Sequence, residues 1–185
     1  NRKQRYKGDF LFGIAFLFYS LVLLSDTGKS LDLQHNQAAI DFFSSFDVNS
    51  YFSILIFLFI GTIITLIVQS SAAVMAITIL LCTTGVLPIY LGIALVMGEN
   101  IGTTGTANLV ALGSNVQARR TAMAHLVFNV FGVIWVLIFF YPFVNMICRL
   151  VGYDPTAAAP SATDLAKTLP IILATFHTFF NLFNT

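Results

Sequence analysis

The chain has 185 residues, of which 57% are hydrophobic and 9% are charged, and its net charge is +1. Soluble domains carry about 25% charged residues, so this composition excludes an ordinary water-soluble domain and indicates a membrane protein. The small net charge gives no basic surface for nucleic acid, and no stretch alternates apolar and polar residues in the manner of a membrane β-barrel. We therefore predict an all-α polytopic membrane protein.

Apolar stretches along the chain approach or reach the roughly 20 residues that a helix needs to cross a bilayer. They cover residues 10–24, which is short, and residues 51–68, 86–97 and 121–148. Basic residues precede the first and the last of these stretches, at Arg2, Lys3, Arg5, Lys7, Arg119 and Arg120. The positive-inside rule places both basic segments in the cytoplasm. Residues 25–50 and 149–167 are then predicted to lie outside.

The region 51–113 must therefore begin outside and end inside, which requires an odd number of crossings. It satisfies this either with three full spans or with one span combined with re-entrant or broken helices. Polar or helix-breaking residues interrupt it at 69–71, at 83–85, at Pro88 and at 98–105. We predict breaks at these places, because irregular backbone at membrane depth is tolerated only where it lines a cavity or is buried in protein.

Two polar clusters lie inside this region, the run QSS at 69–71 and the segment MGENIGTTGTANL at 97–109. Amide and hydroxyl oxygens suit a cation such as Na⁺, whereas hydroxyl and N–H groups at a helix N-terminus suit an oxyanion. Unwound backbone beside such groups is typical of transporter sites. The alternative is helix packing, because Ser, Thr and Gly let membrane helices approach closely. The candidate ligands are Gln69, Ser70, Ser71, Asn100, Thr103 and Thr104.

Glu99 is the only charged residue between positions 48 and 118. A carboxylate within a membrane segment is costly and marks a functional site by default, so a coupling role is one interpretation. The alternative is a solvated helix end at the membrane boundary. His125 and Asn129 share a helix face four residues apart. A lone helical histidine is more often a packing or hydrogen-bonding residue than a ligand, so we predict packing or hydrogen bonding for His125.

Motifs of enzyme chemistry are absent from the sequence. The glycine-rich segment lacks the Lys-Ser/Thr ending of a Walker motif, and neither a nucleophile elbow nor a His-Glu-x-x-His pattern occurs. Cys82 and Cys148 stand in apolar surroundings without zinc spacing, which is typical of packing residues. We therefore expect no enzyme activity, no catalytic residue, no cofactor, and no metal site beyond Na⁺.

At the two polar clusters the chain resembles the type II sodium–phosphate cotransporters and their bacterial relatives. That family has two inverted repeats, each with a Gln-Ser-Ser-Ser motif followed by Gly-x-Asn-Ile-Gly-Thr. This chain has VQSSAAVMAIT and then GENIGTTGTANLVALG. The next segment, ARRTAMAHLVFNVFGV, is similar to the basic turn and helix that follow the second repeat in bacterial members.

The resemblance implies sodium-coupled import of inorganic phosphate by alternating access, with Na⁺ as the coupling ion. By position, Gln69, Ser70 and Ser71 would bind phosphate and sodium. Asn100, Thr103 and Thr104 would support them or coordinate sodium on a second broken helix. The third serine of the motif is Ala72 here, which removes one hydroxyl. Relatives often have a small residue at the position of Glu99. The carboxyl group here implies a different number of coupled cations or a coupling to protons.

The resemblance also implies that residues 1–185 form a single transmembrane domain, a fragment corresponding to one inverted-repeat half, with 51–113 as its broken-helix region. The chain holds one Gln-Ser-Ser element, so the first repeat of the same transporter is an expected partner, beside phosphate, Na⁺ and the lipid bilayer. We expect a multi-pass protein of the plasma or inner membrane. The alternatives are a sodium-coupled transporter of another anion, a non-transporting membrane scaffold, or a channel, for which no selectivity-filter pattern is present.

Overall fold

A computed structural model describes residues 2–155 and 162–184. It is 85% helical and has no strand among those residues, which confirms the predicted all-α class. A short 3-10 helix, Leu33–His35, joins the first two α-helices. The α-helices are α1 (Arg2–Ser30), α2 (Gln37–Ser44), α3 (Tyr51–Val68), α4 (Ser71–Thr83), α5 (Ile89–Ala111), α6 (Val116–Ile138), α7 (Phe140–Val151) and α8 (Ala162–Phe183).

Four helical segments are long and apolar enough to cross a membrane, which confirms the polytopic prediction. They are Gln4–His35, Tyr51–Val68, Val116–Ile138 and Leu165–Phe183. The short apolar stretch predicted at 10–24 is thus the middle of a much longer helix. The predicted outer loop at 149–167 contains the end of α7 and the start of α8, while Pro160 lies outside the described residues.

The helices α3 and α5 run parallel, and α4 runs antiparallel to α5. Gly61 faces Leu95, Gly98 faces Leu58 and Thr62, and Gly102 faces Thr65, so rising numbers in α3 meet rising numbers in α5. On α4 the order is reversed. Cys82, later in α4, lies at Gly92 near the start of α5, whereas Thr78, earlier in α4, reaches Glu99 farther along α5. The chain therefore reverses direction twice between residues 51 and 111. We call the end beside Arg119 and Arg120 the inner end.

The middle pass, α4, has 13 residues. A helix of that length extends about 20 Å at 1.5 Å per residue, which is shorter than the roughly 30 Å hydrocarbon core. Helices α3 and α4 therefore form a hairpin with one short arm, and α5 follows it, parallel to α3. This arrangement satisfies the odd number of crossings and resembles the predicted broken-helix alternative more than three full spans.

The predicted break at 98–105 is wrong, because α5 is continuous from Ile89 to Ala111. Gly98, Gly102 and Gly105 face α3 and let the two helices approach closely. An added Cβ at Gly98 would lie 2.7 Å from the Thr62 backbone nitrogen, which no real Cβ tolerates. Asn100, Thr103 and Thr104 are therefore not on a second broken helix. The breaks predicted at 69–71 and around 83–88 are confirmed.

The predicted span 121–148 is two helices, because α6 ends at Ile138 and α7 begins at Phe140. Asn115 caps the start of α6 by accepting a hydrogen bond from the Ala118 N–H at 2.9 Å. Pro142 accounts for the break, since proline lacks the N–H that would bond the carbonyl four residues earlier, at Ile138, and its ring crowds that carbonyl. Helices α7 and α8 then cover α5 with buried aromatic and aliphatic side chains.

Candidate transport site

The break between α3 and α4 consists of two residues, Gln69 and Ser70. Gln69 adopts the left-handed conformation with φ 57°, and its N–H donates to the Thr65 carbonyl at 2.8 Å. Ser70 is extended and caps α4, where its Oγ accepts a hydrogen bond from the Ala73 N–H at 3.3 Å. A non-glycine residue with positive φ is uncommon and marks a backbone position that the structure holds at a cost.

Gln69, Ser70 and Ser71 lie together at the N-terminus of α4. Gln69 and Ser70 are exposed, and Ser71 is half-buried as the first residue of the helix. The first N–H groups of a helix have no partner within it and carry a partial positive charge. The break therefore presents backbone N–H groups, a carboxamide and two hydroxyls without any formal charge, which suits an oxyanion.

Asn100, Thr103 and Thr104 direct their donors onto the backbone of α5. The Asn100 Nδ2 donates to the Val96 carbonyl at 3.0 Å, and the Thr103 Oγ1 donates to the Glu99 carbonyl at 2.8 Å. The Thr104 Oγ1 donates to the Ile101 carbonyl at 2.9 Å. Both threonine hydroxyls have used their hydrogens and Asn100 has used one of its two, so these side chains keep free oxygen lone pairs, which suit a cation. Asn100 and Thr104 are buried, and Thr103 is exposed.

The structure does not place these α5 residues at the break. Leu66 on α3 faces Gly105 on α5, and Gln69 lines a groove together with Thr106. Asn100 lies six residues before Thr106, which is about 9 Å along a helix. Asn100 therefore lies farther toward the outer end than Thr106, whereas Thr103 and Thr104 lie within one helical turn of Thr106.

Glu99 is buried in the interface of α4 and α5, with 2% of its surface exposed. Its Oε1 accepts a hydrogen bond from the Thr78 hydroxyl at 3.0 Å. Among the side chains that the structure describes, residues 4–155 and 165–184, no basic group forms an ion pair with it. The alternative of a solvated helix end is therefore wrong. A buried carboxyl group without a basic partner needs a proton or a bound cation to be stable.

Three threonines that the sequence analysis did not single out belong to this interface. Thr62 Oγ1 lies within hydrogen-bonding distance of the Leu58 carbonyl, at 2.9 Å, and of the Gly98 carbonyl on α5, at 3.1 Å. Thr65 is 1% exposed, and its Oγ1 has no hydrogen-bond partner among the described residues. Thr78 contacts Glu99. No local motif marks these residues, because the partners of Thr62 and Thr78 on α5 lie 36 and 21 positions away in the chain.

A groove with a volume of about 690 Å³ opens at the inner end, between the break and the turn from α5 to α6. Its polar lining residues are Gln69, Thr106, Ser114, Thr121 and His125. His125 is exposed and lines the groove instead of packing, one of its two predicted roles. Ser114 also escaped the sequence analysis, because it stands in a turn without a recognisable motif.

The region that contains the break, α5 and the groove coincides with a known protein family. A family model described as Na⁺/Pi-cotransporter matches residues 40–152, which is more than half of the chain. The chain belongs to the Na⁺/Pi-cotransporter family. This confirms the resemblance found at the two polar clusters. It also agrees with the expectation that the protein is not an enzyme, because the family is one of transporters, and with a location in the membrane.

Several curated proteins are similar to parts of the chain. YqeW of Bacillus subtilis, which is named as uncharacterized, is 39% identical over 44% of this chain and 27% of its own length. YjbB of Salmonella typhimurium, provisionally named an inorganic phosphate export protein, is 30% identical over 66% of this chain and 20% of its own length. The human sodium-dependent phosphate transport protein 2B is 30% identical over 66% of this chain and 18% of its own length.

The chain thus spans only about a fifth to a quarter of the length of these relatives. No solved structure matches it significantly.

Proposed function

We propose that this chain acts within a transporter that imports inorganic phosphate together with Na⁺ by alternating access. The observation that carries the proposal is the helix break at Gln69 and Ser70, where uncharged donors and the N-terminus of α4 meet on an exposed surface. Family membership supports phosphate as the substrate, and the name of the human relative supports sodium dependence. Import follows from the coupling, because the Na⁺ gradient of most cells points inward. The name of YjbB points to export instead, so direction needs its own test.

Phosphate would bind at the break. The first N–H groups of α4 and the hydroxyls of Ser70 and Ser71 are donors at the positive end of a helix dipole, and they stabilise negative charge. The carboxamide of Gln69 adds two further N–H donors. No side chain of this set carries a fixed charge, so the free energy of binding depends on the anion and its accompanying cation together.

Sodium would bind farther outward along α5. The Asn100 side-chain oxygen and the hydroxyl oxygens of Thr103 and Thr104 are the neutral ligands, and the carboxylate of Glu99 is the coupling group. Hard cations prefer such oxygens. A cation near Glu99 would supply the positive charge that no basic side chain provides there. In this proposal Na⁺ and phosphate occupy separate positions.

The other wall of the phosphate site would come from the first repeat of the same transporter. Gln69 and Ser70 are exposed in the structure, and this chain holds one Gln-Ser-Ser element. This exposure also argues against the scaffold alternative, because side chains that contact no other helix contribute nothing to packing. A channel has no support from these residues, and another anion is tested by competition below.

The test is uptake of radiolabelled phosphate into proteoliposomes that contain the full-length transporter, with an inward Na⁺ gradient compared with K⁺. We expect phosphate uptake to require Na⁺. An outward-directed Na⁺ gradient should reverse the direction of transport, and excess sulfate should not abolish uptake. Gln69→Ala should remove at least nine-tenths of it. Phosphate uptake that ignores Na⁺ would overturn the coupling, and uptake inhibited equally by sulfate would favour another anion.

Two variants distinguish a loss of binding at the site from a loss of folding. Gln69→Gly also removes the carboxamide but suits the left-handed conformation better than glutamine, so it should fold at least as well as the native protein and still not transport. Gln117→Ala changes an exposed glutamine in the first turn of α6 and should leave uptake unchanged. If Gln69→Gly restores transport lost in Gln69→Ala, the carboxamide has no role in binding.

A further inference from the structure

We propose that the groove at the inner end is a second oxyanion-binding position, which phosphate occupies between the helix break and the cytoplasm. Its donors are Gln69, Ser114 and His125. This inference rests on the proposed function for the identity of the anion. It shares Gln69 with the proposed transport site but adds Ser114 and His125, and it is tested by binding rather than by transport.

The groove connects the break to the inner surface. Gln69 forms one wall, and the last turns of α5 and the first turns of α6 form the other. On α6, Ala118, Ala122 and His125 all line it, and residues spaced by four and then three positions share one helix face. Ser114 lies in the turn just before α6. An ion that leaves the break toward the cytoplasm therefore meets Ser114 and His125 along this face.

The polar groups of the groove divide into two kinds. Thr106 donates to the Thr103 carbonyl at 2.7 Å and Thr121 donates to the Gln117 carbonyl at 3.1 Å, so the hydrogens of both hydroxyls are already used. The side chains of Gln69, Ser114 and His125 make no hydrogen bond within residues 4–155 and 165–184, so their donors are available. No carboxylate is among the lining residues. A cavity with free neutral donors and no acid suits an oxyanion.

Two arginines stand in the chain between Ala118 and Thr121, which both line the groove. Arg119 and Arg120 are exposed in the first turns of α6, and Arg119 donates a hydrogen bond from its guanidinium to the Leu112 carbonyl. The C-terminus of a helix carries a partial negative charge that would repel an anion. By bonding a carbonyl at the end of α5, Arg119 offsets that charge at the mouth of the groove. Neither arginine pairs with an acid in the described part of the chain.

The test measures protection of a cysteine in the groove. Ala118→Cys places a thiol between Ser114 and His125 without replacing a donor. In inside-out vesicles that contain the full-length transporter, a charged thiol reagent should modify it, while Cys82 and Cys148 are fully buried and should not react. We expect millimolar phosphate to slow the modification at least fivefold, and the same concentration of chloride to have no effect.

The control uses a matched histidine. Asn129 donates to the His125 carbonyl at 3.1 Å, and Asn181 donates to the His177 carbonyl at 2.8 Å, so the two histidines stand in the same local arrangement. His177 lies on α8 and does not line the groove. In the Ala118→Cys background, His125→Ala should abolish protection by phosphate, His125→Gln, which keeps an N–H donor, should retain part of it, and His177→Ala should retain all of it.

Absence of protection in the folded Ala118→Cys protein would overturn the groove site, as would full protection in His125→Ala. These outcomes can be distinguished from a failure of the proposed transport function. Sodium-driven phosphate uptake without protection would leave the transport proposal standing and remove the groove site. Protection without any uptake would leave the groove site standing and remove the transport proposal.

Discussion

The two halves of α5 have opposite environments. Every residue from position 89 to position 100 is buried, whereas Thr103, Ala107, Leu109 and Val110 in the second half are exposed. The first half is enclosed by α3, α4 and α8. The second half borders the groove with α6. One continuous helix therefore serves as the packed centre of the fold at one end and as a wall of an open cavity at the other.

This difference separates the residues that hold the structure from those that are available to a ligand. Gly98 and Thr62 join two helices by close approach and a hydrogen bond across the interface. Gln69, Ser114 and His125 contribute no such contact and keep their polar groups free. Substitutions in the buried half of α5 should therefore change stability, and substitutions around the groove should change binding. Glu99 belongs to both groups, because it is buried in the packed half of α5 and is also the proposed coupling group.

The largest effect is expected for Gly98→Val. The new side chain would collide with the Leu58 carbonyl and the Thr62 backbone nitrogen, and backbone atoms cannot yield as a flexible side chain does. Overpacking costs about 1–3 kcal/mol where neighbours can shift, and here we expect at least the upper value and a loss of most folded protein. Gly113→Val is the control, because nothing lies within 4 Å of the Cβ position at Gly113. The measurement is monodisperse yield in detergent, and equal yields would contradict the close packing.

An intermediate effect is expected at Glu99, where two substitutions separate stability from coupling. Glu99→Ala removes the acceptor of Thr78 and leaves a void, so we expect a loss of about 2 kcal/mol, as for other large-to-small core changes. Glu99→Gln keeps the size and an acceptor for Thr78, so it should fold normally. It lacks the negative charge, so the Na⁺ concentration for half-maximal uptake should rise about tenfold, which corresponds to about 1.4 kcal/mol.

The measurements are thermal unfolding in detergent and the dependence of uptake on Na⁺ concentration. An unchanged Na⁺ dependence in Glu99→Gln would show that Glu99 is a structural residue of the buried half and not a coupling group.

The smallest effect is expected for Thr62→Val. This change keeps the shape of the side chain and removes the hydroxyl that bonds Gly98 across the interface. Hydrogen bonds between membrane helices contribute about 0.6 kcal/mol on average, so the melting temperature should fall only slightly. Thr83→Val is a matched control, because the Thr83 hydroxyl bonds the Leu80 carbonyl of its own helix. A drop in Thr62→Val that is no larger than the drop in Thr83→Val would show that the cross-helix bond adds nothing.

The sequence predicted the α3–α4 break correctly and the continuity of α5 incorrectly, although both regions combine small and polar residues. At Gln69 and Ser70 the polar side chains follow an apolar run without intervening glycines, and Ser70 can cap the next helix. Between 98 and 105 the glycines recur at spacings of four and three, which is also the pattern of a helix face. Whether such glycines break a helix or pack it depends on a partner helix more than 30 residues away.

The amino-acid sequence by itself determined the class of this protein, its several apolar helices, the position of the first helix break and the family. These features follow from composition, from local periodicity and from short motifs, all of which are read over a few neighbouring residues. Only the tertiary structure decided that Glu99 is buried against Thr78, that Asn100 lies two turns from the break, and that His125 lines a groove. Each of these depends on how distant helices pack, and the free energy of packing belongs to pairs of helices rather than to any single segment.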